Sequence, residues 1–271
     1  MPLPRTEPTA DDRPVATAEI AAPSLARFAR SEWDRLAAPT VRPAAFDPAM
    51  ADSQPAAVRR WLLHALKPGV PLSESVCLTM NGRIKIGGWR RFTAVQVVAP
   101  WDGYIWAARS AVAGLPITGF DRYSSGDGEM RWRLLGLIPV VSVRGNDVTA
   151  SAAGRLASEI VLIPTAFRSA TWTAGVEENT FTAEIRIGSD IEQLELRTDL
   201  TGGLHTVRLQ RWGNPNGLPF ARYPFGVTVM RESTFTGVTI PSTVRAGWFV
   251  GTERESEGEF FRASITAAAF R

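Results

Sequence analysis

The sequence predicts a mainly antiparallel β fold with a few helices: one large curved or half-closed β-barrel, with an N-terminal helix and an inserted helix against its concave face. Three observations carry this. From Ser73 onward, extended runs with period-two alternation follow one another with little interruption. The connections between them are short and glycine-containing, as at Gly87-Gly88, Gly126-Asp127-Gly128 and Thr201-Gly202-Gly203, which is hairpin chemistry. About a dozen strands exceed what a flat, twisted sheet tolerates, so the sheet must curl or close.

In chain order, residues 1–22 form a proline-rich, aperiodic leader, and residues 23–271 a single β-rich domain. A helix is predicted over Pro23–Leu36, where Leu25, Phe28, Trp33 and Leu36 make an apolar stripe. Pro39–Pro48 is a connection. A second helix over Gln54–Leu66 places Val58, Trp61, Leu62, Ala65 and Leu66 at three- and four-residue spacing and ends at Pro68-Gly69. Strands follow at 74–86, 89–99, 103–113, 116–124 and 128–143. The Ala-rich stretch Asn146–Ile163 reads as an inserted helix stopped by Pro164. Strands resume at 170–177, 180–187, 190–199, 203–212, 224–235, 238–250 and 259–270.

The composition narrows the function classes. The chain has 271 residues, is 45% hydrophobic and 21% charged, and carries a formal charge of +3. Its 30 basic residues are dispersed and form no recognisable nucleic-acid module, so nucleic acid is not an expected partner. The single cysteine, Cys77, lies in an apolar run and reads as a small buried hydrophobe. No run reaches the roughly 20 apolar residues of a membrane helix, and the N-terminal residues lack the apolar core of a secretion signal. A cytoplasmic location is therefore expected. Neither His64 nor His205 belongs to a ligand spacing, so no metal is expected. No nucleophile elbow, dinucleotide loop or phosphate loop occurs, so no cofactor is expected either.

The aromatic and arginine content is the distinguishing feature. In the run from Trp101 to Val143, Tyr104 and Trp106 alternate with Ile105 and Arg109, and Trp132 opposes Arg131 and Arg133. Of the 9 Trp in the chain, core packing accounts for about two-thirds, and a wide apolar cavity would account for the rest. The expected ligand-binding residues are Tyr104, Trp106, Arg109, Arg122, Trp132, Arg133, Trp212, Tyr223 and Trp248. The loop after Arg211-Trp212, up to Arg222-Tyr223, is a plausible barrel rim. Glu159 lies at the margin of the inserted helix's apolar stripe with Arg155 one turn earlier. It reads either as half of an i,i+4 ion pair or as a carboxylate held over the sheet interior.

The runs RWLLHALKPGVPL, MNGRIKIGGWRRFTAVQVVAP, LPITGFDRYSSGDGEMRWRLLGLIPVV, SAAGRLASEIVLIP and YPFGVTVMRESTFTGVTIP resemble an uncharacterised bacterial family of unknown function over about residues 31–271. That resemblance implies one domain and no particular chemistry. By architecture alone the pattern is also similar to the LolA-type lipoprotein carriers. This implies an unclosed β-barrel with helices plugging its mouth around an acyl-chain cavity. The expected function is binding of a hydrophobic small molecule or lipid in the concavity of the sheet. The alternative is an enzyme of cyclase or isomerase type acting on an apolar intermediate, with Glu159, Asp121 or Tyr123 as acid or base.

Overall fold

The computed structural model describes residues 20–25 and 27–271. The leader expected over 1–22 lies outside the described residues except for its last three. Of these, Ile20 is buried and closes an apolar cluster on the outer face of the sheet.

Among the described residues, three helices of ten or more residues and thirteen strands build the fold. The helices are α1 (Arg27–Leu36), α2 (Ala56–Ala65) and α3 (Asn146–Ser158). Six strands precede α3: β1 (Val76–Lys85), β2 (Trp89–Ala99), β3 (Gly103–Val112), β4 (Leu115–Ser124), β5 (Asp127–Leu134) and β6 (Ile138–Arg144). Seven follow it: β7 (Thr171–Ala174), β8 (Thr180–Ile187), β9 (Asp190–Thr198), β10 (Leu204–Gly213), β11 (Ala221–Phe235), β12 (Val238–Trp248) and β13 (Glu259–Phe270). The run expected as one strand over 128–143 is two. Leu135 (φ 55) and Gly136 (φ 72) both enter the left-handed region and turn the chain into a hairpin. The helix expected to Ile163 stops at Ser158 and tightens to 3-10 turns over Glu159–Leu162.

All strands join one sheet in the order β6-β5-β4-β3-β2-β1-β13-β12-β11-β10-β9-β8-β7. Every neighbouring pair is antiparallel, so each wing is a meander whose connections stay local. The two wings join where β1 pairs with β13, Cys77 standing opposite Ala269. The sheet curls into a half-barrel whose wings meet on the concave side: an ideal Cβ at Gly188, in the β8–β9 turn, would lie 2.9 Å from the Tyr123 hydroxyl of β4.

Helix α3 lies across that concavity and packs on β10 in one wing and β5 in the other. Its first turn sits so close to β5 that a Cβ on Gly128 would meet Thr149 Cα at 2.6 Å, which only glycine permits. Helix α2 also faces inward, with Trp61 packed against Trp172 and Phe181. Helix α1 packs on the opposite, convex face instead. Trp33 and Leu36 join Cys77, Val97, Ile105 and Phe120 there; the Phe28 side chain lies outside the described set.

Candidate functional site

Period-two alternation sends the expected ligand-binding residues to different places. Tyr104, Trp106 and Trp132 point to the concave side, where they are 2%, 1% and 6% exposed. Trp106 lies 5.8 Å from Trp132 and 5.4 Å from Phe92, ring to ring. Trp132 also covers Gly119 across the strand pair, where a Cβ would come within 2.5 Å of its Cδ2. Helices α2 and α3 fill the concavity, and the rings are continuous core.

Between those rings and α3 lies a buried polar cluster. Arg155 of α3 stacks over Tyr104 and Trp106, with its Cζ 4.5 and 5.3 Å from the ring centroids. Its Nε donates to Glu159 Oε1 at 2.9 Å, and its Nη1 lies 3.4 Å from Asp121 Oδ2. Gln96 Nε2 donates to the other Glu159 oxygen at 2.6 Å, and Trp132 Nε1 to the other Asp121 oxygen at 2.9 Å. Burial pushes the Asp121 carboxyl above its ordinary range, against the pull of Arg155 and the Trp132 N–H. Burial also pushes the Tyr104 hydroxyl well up. It works against the charge of Arg155, yet Glu159, Tyr104 and Asp121 together hold that guanidinium above its usual range. Arg211 enters from β10, stacked over Phe225 and Trp248 and bonded to Ser151. Burial lowers it to about 10.

This cluster contains Glu159 and Asp121, but all four carboxylate oxygens already accept bonds from protein donors. Such a network fastens a helix to a sheet. Tyr123, the third residue considered for acid or base work, is buried beneath the β8–β9 turn, and burial raises its hydroxyl.

The remaining expected residues lie elsewhere. Arg122 is on the convex face, 4% exposed, bonded to Glu129 at 2.9 Å and to Glu32 of α1 at 3.1 Å. It ties α1 to the sheet. Trp212 donates to Asp147 at 2.9 Å, Tyr223 donates to the Pro219 carbonyl, and Trp248 packs on Phe225. These three belong to the other wing and do not converge with the first group. Cys77 is buried in the outer cluster, and burial raises its thiol.

Arg109 and Arg133 are exposed on the convex face of the first wing, where they border a groove of about 870 Å³. Register puts both in one row: Thr93 opposite Arg109, Arg109 opposite Thr118, and Thr118 opposite Arg133. One row deeper, Val95 faces Ala107 and Ala107 faces Phe120, giving the groove an apolar floor. Pro23, Ser24 and Leu25 form a further wall. Arg131 adds a third guanidinium, 5.9 Å above the Phe120 ring and paired with Glu129 at 2.7 Å. No Asp or Glu lines the groove, and Arg109 and Arg133 have no carboxylate within ion-pair distance among the described residues. Sequence reasoning missed Val95, Ala107 and Phe120. The available signal was a large apolar residue, Phe120, on the same strand face as Thr118 and Arg122.

Among the described residues there is no group of three metal-ligating side chains, and no helix is long and apolar enough to cross a membrane.

A half-barrel with a helix-filled concavity and an amphipathic groove on its outer face defines the class of this protein. The chain belongs to the family of unknown function DUF6920, whose model matches residues 52–270. No curated protein matches the sequence. Similar solved structures include the following two. One is a LolA-superfamily protein from Nitrosomonas europaea, at 8% identity and TM-score 0.44, covering 80% of this chain and 92% of that one. The other is a domain from Vibrio parahaemolyticus named for outer membrane lipoprotein sorting. It is at 10% identity and TM-score 0.42, covering 73% of this chain and 85% of that one.

Proposed function

We propose that the protein binds an amphipathic small molecule or lipid with an apolar body and an anionic group, in the groove on the convex face of its first wing. The observation that carries this reading is an apolar floor rimmed by guanidinium groups, with no lining carboxylate among the described residues. A volume of about 870 Å³ is within the range of small-molecule sites and large enough for a single alkyl chain with its headgroup. Arg109 and Arg133 supply unpaired cations for the headgroup, and Val95, Ala107 and Phe120 supply the apolar contact.

The binding reading is favoured over the enzyme alternative because both carboxylates of the polar interior, Glu159 and Asp121, are already bonded within the protein. The test is calorimetric titration with dodecyl sulfate below its micellar concentration and with dodecanol. Binding of the sulfate, weakened about tenfold or more by Arg109→Ala with Arg133→Ala, is the expected result. Equal affinity of the wild type and the double variant would overturn the assignment, as would binding of neither probe.

A further inference from the structure

The hairpin end of the first wing, together with the adjoining ends of β12 and β13, combines two features that the groove does not explain. The first is exposed apolar side chains carried on separate hairpins. Leu135, Leu137 and Ile138 of the β5–β6 hairpin are 49%, 76% and 56% exposed. Leu115 at the β3–β4 hairpin is 45% exposed, and Ile86 at the β1–β2 tip is 38% exposed. Register places these tips together: the Leu135 N–H donates to the Pro116 carbonyl, and Pro116 stands opposite Ala111. Leu135 also holds a left-handed φ of 55°, a conformation that β and γ carbons disfavour and that turns this hydrophobe-rich tip outward.

The second feature is a row of arginines just behind the tips on the convex face. Arg245 stands opposite Arg262, Arg262 opposite Arg83, and Arg83 opposite Arg91, across four adjacent strands. Like charges directly opposed across strands destabilise a sheet. Only Arg262 of the four has a carboxylate within ion-pair distance among the described residues, that of Glu259. Among the described residues, Arg83, Arg91 and Arg245 of this exposed row have no carboxylate within ion-pair distance, so an added anion would offset their repulsion.

We propose that this end of the molecule docks on the surface of an anionic bilayer. The hairpin tips enter the headgroup layer and the arginine row lies against lipid phosphates. A bilayer fits better than a folded partner because the apolar residues sit on separate protruding turns rather than on one flat face, which suits a deformable medium. Basic residues beside inserted apolar side chains are the combination that holds a protein at an anionic leaflet. The inference is independent of the groove reading. Leu137 and Ile138 do not line the groove, so their substitution leaves dodecyl sulfate titration unchanged.

The test is flotation with vesicles of phosphatidylcholine alone and of phosphatidylcholine with one-third phosphatidylglycerol. The wild type is expected to float with the anionic vesicles only, and less as salt is raised. Leu137→Asp with Ile138→Asp should cut that partition about tenfold or more, and Arg83→Glu with Arg91→Glu should do the same. All four positions are exposed, so an unchanged melting temperature verifies folding. The proposal is overturned if the wild type stays with neither vesicle, or if either double variant floats like the wild type. It is equally overturned if light scattering shows a stable dimer that Leu137→Asp disperses, since the apolar tips would then serve a second copy of the chain.

Discussion

Arg155 and Glu159 are bonded one helical turn apart, Nε to Oε1 at 2.9 Å, at the point where α3 gives way to a 3-10 turn. Both side chains retain little exposure, 19% and 14%. The pair is thus largely withdrawn from water while Tyr104 and Trp106 cover the guanidinium from the sheet side.

Glu159→Gln should therefore destabilise the protein. The change removes the charge that compensates Arg155 and leaves only the longer Asp121 contact at 3.4 Å. A loss of about 1–3 kcal/mol is expected, below that of a fully buried pair because some solvent reaches the site. Urea unfolding at neutral pH measures it. A variant as stable as the wild type would mean that α3 is fastened by packing alone.

Asp121→Asn should behave differently although it touches the same arginine. Burial raises the folded-state pKa of Asp121 above its unfolded value. The folded state then holds a proton that the unfolded chain has already lost, so this group's contribution falls as pH rises from the unfolded value through the folded one. Asparagine removes that dependence and keeps an oxygen to accept from Trp132 Nε1. The variant should be within about 1 kcal/mol of the wild type at neutral pH and compare better there than at pH near 4. Unfolding curves across that range check it; a loss as large as that of Glu159→Gln would contradict the ordering.

How much of this was legible follows from the range of each interaction. The Arg155–Glu159 pair is readable because helical spacing alone brings positions four apart together. The alternation of Trp132 against Arg131 and Arg133 is equally local, as is the hairpin chemistry that makes the sheet antiparallel. Which face of that alternation is inside is not local. It depends on α2 and α3 occupying one side of the sheet and α1 the other, and amphipathic helices of similar composition carry no label for the face they cover. Gln96, which completes the Glu159 site from β2, is 63 residues away. The pairing of β1 with β13 joins segments nearly 200 positions apart, and nothing in either run specifies the other. The Leu135-Gly136 turn was hidden for another reason: leucine at positive φ is rare, so the run reads as unbroken strand.

His64 of α2 and Glu232 of β11 give a second contact whose contribution falls as pH rises, in a higher pH window. His64 Nε2 lies 2.8 Å from Glu232 Oε2, and that bond, against burial, raises the histidine above its ordinary value. A raised histidine contributes stability fully below the unfolded pKa and loses it as pH rises through the folded one. His64→Gln should therefore cost more in mild acid than in mild alkali, by roughly 1 kcal/mol. Melting temperatures of both proteins at the two pH values measure the difference; an equal cost at both would remove the ionic part of the contact.

Trp132 and Arg133 are neighbours in sequence on opposite faces of β5, and their substitutions should separate core from site. Trp132 is 6% exposed, packs on Trp106, covers Gly119 and donates to Asp121. Trp132→Ala opens a large void and leaves a buried carboxylate short of a donor, so a loss of about 3–5 kcal/mol is expected. Arg133 is exposed, borders the groove and makes no ion pair among the described residues. Arg133→Ala should change stability by less than about 0.5 kcal/mol, and relief of repulsion from Arg109 and Arg131 could make it slightly favourable. Dodecyl sulfate affinity should respond in the reverse order: weakened by Arg133→Ala, and unchanged by Trp132→Ala at temperatures where that variant remains folded. If Trp132→Ala folds and loses the probe while Arg133→Ala keeps it, the ligand enters the concave side and the groove is not the site.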